Sequence, residues 1–298
     1  LPAFRDPQLF IKDLHFDEVP VRIYTPKVPS TSKRRGIIFF HGGCGIFGSI
    51  RSHERICRYI ARKSDSVLVS VGYRLSPEHK YPAQSQDCLA AAVHFLKTAE
   101  NYGVDPHRII ICGDSVGGTF TASVCQELVK RRDLPRIRAQ VLIYPFLQAL
   151  NFNLPSYQKN AFTVFLSRER TVHFMLKYLN KDCATKDAIL AGSHVPESIS
   201  LKYRKWINPD FIAEAFKSGY QPPLPNTFLP HIHEETKELF KTRLSPLLAE
   251  DSVVCRLPDA CIITCEHDVL RDDGLLYKKR LEDNNVKVTW LHVEEGFH

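Results

Sequence analysis

The chain has 298 residues, 44% hydrophobic and 10% aromatic, enough to bury a large core in one domain or in one domain carrying an insertion. Its formal charge of +7 is dispersed: Lys33-Arg34-Arg35 precedes a strand pattern and Lys130-Arg131-Arg132 ends a helix pattern, so solvated caps are expected and nucleic acid is not an expected partner. No run of about 18 apolar residues occurs, and the nine scattered cysteines form neither a C-x-x-C pair nor a Cys/His ligand spacing, which excludes a spanning segment and a zinc-type metal site as expectations.

The opening Leu1-Pro2-Ala3-Phe4 shows neither an initiator methionine nor a signal-peptide pattern, and the chain closes on His298; it reads as a domain truncated at both ends. Residues 10–16 and 19–24 alternate around an acidic turn and predict an antiparallel hairpin. Five runs then follow that are apolar without alternation, at residues 36–40, 66–71, 108–112, 139–144 and 260–264. A strand apolar on both faces belongs in a parallel sheet covered on both sides.

Helical spacing at residues 53–63, 83–99, 117–131 and 272–284 lies between these runs, and a last strand at 286–291 leads to His298. Strand and helix alternate, which predicts a mainly parallel central sheet with helices on both faces. Residues 146–245 break the rhythm, carry no long apolar strand, and include a helical stretch at 168–179. They are expected to form an inserted helical lid between a first core part, 1–145, and a second, 246–298.

Chemistry concentrates at strand ends. Gly113-Asp114-Ser115-Val116-Gly117 stands between an apolar strand and a helix pattern, the setting of a nucleophile elbow: flanking glycines permit a tight turn that presents the Ser115 hydroxyl. The other reading is a helix N-cap serine. His41-Gly42-Gly43-Cys44-Gly45 directly follows another strand, and its backbone N–H groups are expected, with that of Val116, to form an oxyanion hole, His41 shaping the loop. The other reading there is a glycine-rich turn with a structural histidine.

Asp268 follows a buried strand and is the candidate acid, with Glu266, Asp272 and Asp273 as competitors and Asp272 also suited to capping the next helix. Among thirteen histidines, His298 follows the last strand and is the candidate base. Ser115, Asp268 and His298 stand in the chain order of an α/β-hydrolase triad. Phe152, Phe162, Phe165, Trp206, Phe211 and Phe228 lie within the insertion, either as an aromatic lid over a substrate or as its own core.

Together with Gly72-Tyr73-Arg74-Leu75-Ser76-Pro77-Glu78, Tyr81-Pro82-Ala83-Gln84, Ser245-Pro246-Leu247-Leu248 and Asp268-Val269-Leu270-Arg271-Asp272-Asp273-Gly274, these motifs resemble the hormone-sensitive-lipase-like branch of α/β-hydrolases, and within it the arylacetamide deacetylase-like proteins. The resemblance implies a serine carboxylesterase or amidase needing no metal or cofactor, a lid over an apolar acyl pocket, and small lipophilic ester or amide substrates. It also implies a full-length protein anchored in the endoplasmic reticulum membrane with a lumenal catalytic domain.

Two departures from that family's pattern stand out. Cys44 occupies the place of the third glycine of an H-G-G-G loop, so a side chain is expected to crowd the oxyanion hole. A family cysteine pairing between this loop and the acid loop keeps Cys265 but has Ile46 at the other position, which leaves two readings: a Cys44–Cys265 disulfide, or two unpaired buried cysteines. Beside the hydrolase stand two rivals: a catalytically weakened relative that binds lipophilic ligands, and a peptidase on the same fold, for which no specific signal is present.

Overall fold

The apolar runs become the inner strands of one eight-stranded sheet. In chain order the elements are β1 Leu9–Phe16, β2 Val19–Pro26, β3 Arg34–Phe40, α1 Glu54–Ser64, β4 Val67–Val71, α2 Ala83–Thr98, β5 Val104–Asp114, α3 Val116–Leu128, β6 Ala139–Ile143, α4 Pro155–Lys159, α5 Arg168–Leu179, α6 Lys186–Ala191, α7 Glu197–Tyr203, α8 Pro230–Glu235, α9 Asp251–Val254, β7 Asp259–His267, α10 Arg271–Asp283 and β8 Val288–Phe297. They come from a computed structural model that describes residues 6–298; the opening Leu1-Pro2-Ala3-Phe4, and the reading of a chain start there, lie outside the described residues.

The strand order is β1-β2-β4-β3-β5-β6-β7-β8. The hairpin β1–β2 and the β2–β4 pair are antiparallel, and every other pairing is parallel. Parallel neighbours need a crossover, and α1, α2, α3 and α10 supply crossovers of that kind. Alternation along β3 sends Ile38 and Phe40 into the larger apolar core with α2 and α3, and Ile37 and Phe39 into a smaller core under α1. All of β4 is buried, so Val67, Leu68, Val69 and Val71 each contribute roughly 1.5–3 kcal/mol by leaving water.

Residues 146–245, between β6 and β7, hold α4 to α8 and no strand. Phe152, Leu154, Tyr157, Val172, Leu176 and Ile189 join the larger core, so this segment packs continuously onto the sheet's helical layer. Among the described residues, no helix is long and apolar enough to cross a membrane.

Candidate active site

Ser115 stands where β5 gives way to α3, with φ 55° and ψ −121°. A non-glycine residue held there costs of order 1–3 kcal/mol and persists only where its surroundings fix it. They do so closely: the Ser115 N–H donates to the Ile143 carbonyl at 2.9 Å, and a Cβ on Gly117 would lie 2.1 Å from the Phe40 carbonyl oxygen. The Ser115 side chain makes no capping bond to α3, which sets aside the N-cap reading. Its Oγ lies 2.9 Å from His298 Nε2.

On the other side of the imidazole, His298 Nδ1 lies 2.9 Å from Asp268 Oδ2. An ionised carboxylate only accepts, so Nδ1 carries the proton and Nε2 is free to accept from the Ser115 hydroxyl. Asp268 is fully buried just past β7, and its Oδ1 accepts the Leu270 N–H at 2.8 Å. Asn160 donates to the backbone carbonyls of Glu266 and Asp268, holding the acid loop against the insertion.

The competing carboxylates are engaged elsewhere. Glu266 pairs with Lys159, Arg271 and His292. Asp272 lies inside the first turn of α10 instead of capping it, and accepts the Ser156 N–H. Asp273 accepts the Leu147 N–H and the Gln148 amide. The Tyr144 ring, which sequence reasoning did not single out, lies 4.7 Å from that of His298.

The glycine-rich loop after β3 turns sharply, with φ 116° at Gly43 and 58° at Cys44. It is closed by the Ile46 and Phe47 N–H groups, which both donate to the Gly43 carbonyl. Here the expectation needs correcting: the Gly42 N–H donates to Asp114 Oδ1 at 2.9 Å, so it is not available to a ligand. Among the described residues, no protein acceptor takes the N–H of Gly43, Cys44 or Val116. His41 is buried beneath, stacked on Tyr73 at 4.1 Å, and burial drives its imidazole down to about 4, which makes it a neutral loop-shaping residue.

Ser115 lines an apolar pocket that is partly open to solvent. Cys44, Val116 and Leu270 line it together with the serine, and Phe146, Leu166, Phe174, Met175 and Tyr178 line it from the insertion. No group of three or more His, Cys, Asp or Glu side chains suited to a metal ion occurs among the described residues.

A family model described as alpha/beta hydrolase fold matches residues 37–199 and 224–298. Human arylacetamide deacetylase-like 4 is 50% identical over 295 residues, covering 99% of this chain and 72% of the relative. Bovine arylacetamide deacetylase is 40% identical over 304 residues, covering 100% and 76%. The chain belongs to the arylacetamide deacetylase-like proteins of the α/β-hydrolase family. A solved thermostable carboxylesterase cloned from a metagenomic library is 28% identical, with a TM-score of 0.74, covering 99% of this chain and 82% of that structure. The family is one of esterases and related hydrolases.

One expectation drawn from family likeness is corrected. Cys44 and Cys265 are both free thiols, not a disulfide. Both loops reach the same sheet edge, but the left-handed turn at Cys44 directs its side chain into the pocket beside Ser115, whereas the Cys265 sulfur packs under Gly296 of β8. Burial pushes the Cys44 thiol up to about 12, which keeps it protonated. As for the insertion's aromatics, none of Phe152, Phe162, Phe165, Trp206, Phe211 and Phe228 lines the pocket. Phe152 and Trp206 are buried in the larger core that the insertion shares with the sheet's helical layer, and Phe162 and Phe165 are exposed.

Proposed function

We propose that this protein is a serine hydrolase that cleaves carboxylic esters, and acetyl-amides, of apolar acyl or aryl substrates through an acyl-enzyme intermediate. One observation carries the reading: Ser115, which lines an apolar pocket, is joined to His298, and His298 to buried Asp268, by hydrogen bonds of 2.9 Å each. Ser115 Oγ attacks the carbonyl carbon as its proton passes to His298 Nε2, and Asp268 holds the imidazole in the required tautomer and stabilises the imidazolium. The developing oxyanion is met by the N–H groups of Gly43, Cys44 and Val116. The imidazolium then protonates the leaving alkoxide or amine; water, deprotonated by the same nitrogen, releases the acid and restores Ser115.

The insertion serves as a lid in this reading, supported by its contribution of Leu166, Thr171, Phe174, Met175, Tyr178 and Leu244 to the pocket wall. Its apolar lining suits lipophilic substrates. Placement of the full-length protein in the endoplasmic reticulum membrane, with this domain lumenal, is carried over from the family resemblance; protease protection in microsomes tests it.

The deciding experiment is labelling with a fluorophosphonate, followed by hydrolysis of a series of nitrophenyl esters, with Ser115→Ala as control. Labelling at Ser115 and ester turnover lost in the variant are expected. A folded parent protein that neither labels nor turns over ester sinks the hydrolase reading and favours the ligand-binding relative, to which the crowding of the pocket by Cys44 points.

A further inference from the structure

Behind the loop at residues 41–48, on the side away from the pocket, lies a polar cluster that the hydrolytic scheme does not use. Asp114, the residue before the nucleophile, is 8% exposed. Its Oδ1 accepts the Gly42 N–H at 2.9 Å, and its Oδ2 lies 3.3 Å from His53 Nε2 at the start of α1. The fit is tight, since a Cβ on Gly42 would come within 2.4 Å of Asp114 Oδ2.

The donors and acceptors around His53 close into a defined set. Its Nδ1 lies 2.9 Å from Ser52 Oγ, and that hydroxyl lies 2.9 Å from the Ser49 carbonyl while accepting the Ser49 N–H. Because the carboxylate accepts only, His53 Nε2 must carry a proton. With Ser52 donating to Ser49, Nδ1 must carry one as well and the ring is an imidazolium; with Ser52 turned to Nδ1, the ring is neutral.

We propose that Asp114 and His53 are positioning residues for the oxyanion loop: Asp114 anchors the Gly42 N–H, so that the next two N–H groups are presented to the substrate, and His53 locks and neutralises that carboxylate. The inference rests on the serine-hydrolase reading. Its physical content is electrostatic as well as steric. A bare carboxylate one peptide group behind an oxyanion site opposes the charge that develops there, and an imidazolium on its far side cancels that effect.

The other titratable groups around this cluster are held away from the histidine range or are paired, which leaves His53 as its titrating member. Burial holds His41, on the same loop, down at about 4. Burial pushes Cys57 on α1 up to about 12, and raises Cys112 on β5, Tyr73 after β4 and Tyr144 after β6. Glu54 on α1 is paired with Arg22 and Arg58. At His53 burial opposes the charged form, but the hydrogen bond and charge of Asp114 outweigh it and raise the group above its ordinary value.

The test is kcat and KM against pH for the full chain, with nitrophenyl acetate as substrate. Asp114→Ala is expected to lower kcat by about 100-fold with KM nearly unchanged, the signature of oxyanion donors displaced. Asp114→Asn keeps an acceptor for Gly42 and is expected to recover most of that loss, while abolishing the alkaline decline in kcat that follows deprotonation of His53. His53→Gln is expected to hold kcat at the alkaline level throughout. Should the alanine variant not fold, the other two decide by their pH profiles. An active parent whose alkaline decline persists unchanged in both overturns the positioning role alone. A parent that neither labels nor hydrolyses overturns the hydrolase reading first. Nitrogen NMR of His53 in the parent then checks the strut directly: titration below the ordinary histidine range overturns it.

Discussion

The ring of Phe165 lies flat on that of Phe297, their centroids 5.3 Å apart and their planes 6° from parallel. Phe165 belongs to the insertion, just before α5, and Phe297 immediately precedes His298, so this stack ties the insertion to the candidate base. Both rings are more than half exposed, which makes the pair a positioning contact with little share in the core. Phe165→Ala is expected to lower ester kcat by about tenfold through a loosened imidazole while costing less than about 1 kcal/mol of stability. Parallel kinetics and thermal unfolding check both halves; equal kcat in parent and variant would refute the coupling.

Asp268→Asn keeps a carbonyl oxygen for the Leu270 N–H, and so keeps the loop, but places an amide donor opposite His298 Nδ1. The imidazole must then turn its acceptor to the new amide and its N–H to Ser115. A fall in kcat of about 10⁴ with an unchanged melting temperature is expected. A loss of less than about tenfold would place the acid elsewhere, with Glu266 the first candidate.

Cys44→Gly removes a side chain from both a left-handed backbone position and the pocket lining. Glycine gains about 1 kcal/mol at such a φ and gives up a comparable amount of thiol burial, so stability is expected to stay within about 1 kcal/mol. The acyl-chain optimum, measured across nitrophenyl esters from acetate upward, should move to longer chains. An unchanged optimum would mean that the thiol does not limit the pocket.

Two buried histidines make the fold sensitive to acid. Burial holds His41 and His194 each down at about 4, from an ordinary 6.5. Each therefore contributes stability that is present above pH 6.5 and is lost as pH falls through about 4, by up to about 1.4 kcal/mol per pH unit. Asp273 runs the other way: burial lifts it from 3.8 to about 7, so its contribution is present below pH 3.8 and is lost as pH rises through about 7. His194→Gln retains a donor for the Ala149 carbonyl and removes one histidine from this balance. In urea titrations the stability gap between parent and variant should narrow as pH falls from 6.5 to 4; a constant gap would refute the assignment.

The sheet was legible because its inner strands are apolar on both faces, a pattern that residues 36–40 and 108–112 show without any knowledge of their partners. Ser115, Asp268 and His298 could be picked out as candidates because each follows a strand, and parallel strands deliver their ends to one edge. What escaped depends on side-chain direction across the fold. The Gly42–Asp114 bond joins residues 72 apart in the chain, and nothing in the local pattern of either announces it. His53 looked like the start of an amphipathic helix, and its role depends on that helix end meeting the elbow. The Cys44–Cys265 pairing failed because proximity of loops says nothing about where a left-handed residue aims its sulfur.

The same left-handed residue has a pharmacological consequence. Under the proposed mechanism, a pocket that sets a hydrogen-bonded serine beside a thiol held at about 12 sorts electrophiles by hardness: phosphonates and carbamates would find an activated oxygen, whereas thiol-selective warheads would meet a neutral sulfur of low reactivity. Soft metal ions, which displace a proton as they bind, escape that protection. Mercurial inhibition that a serine-directed acyl group blocks would set this chain apart from relatives with glycine at the same place.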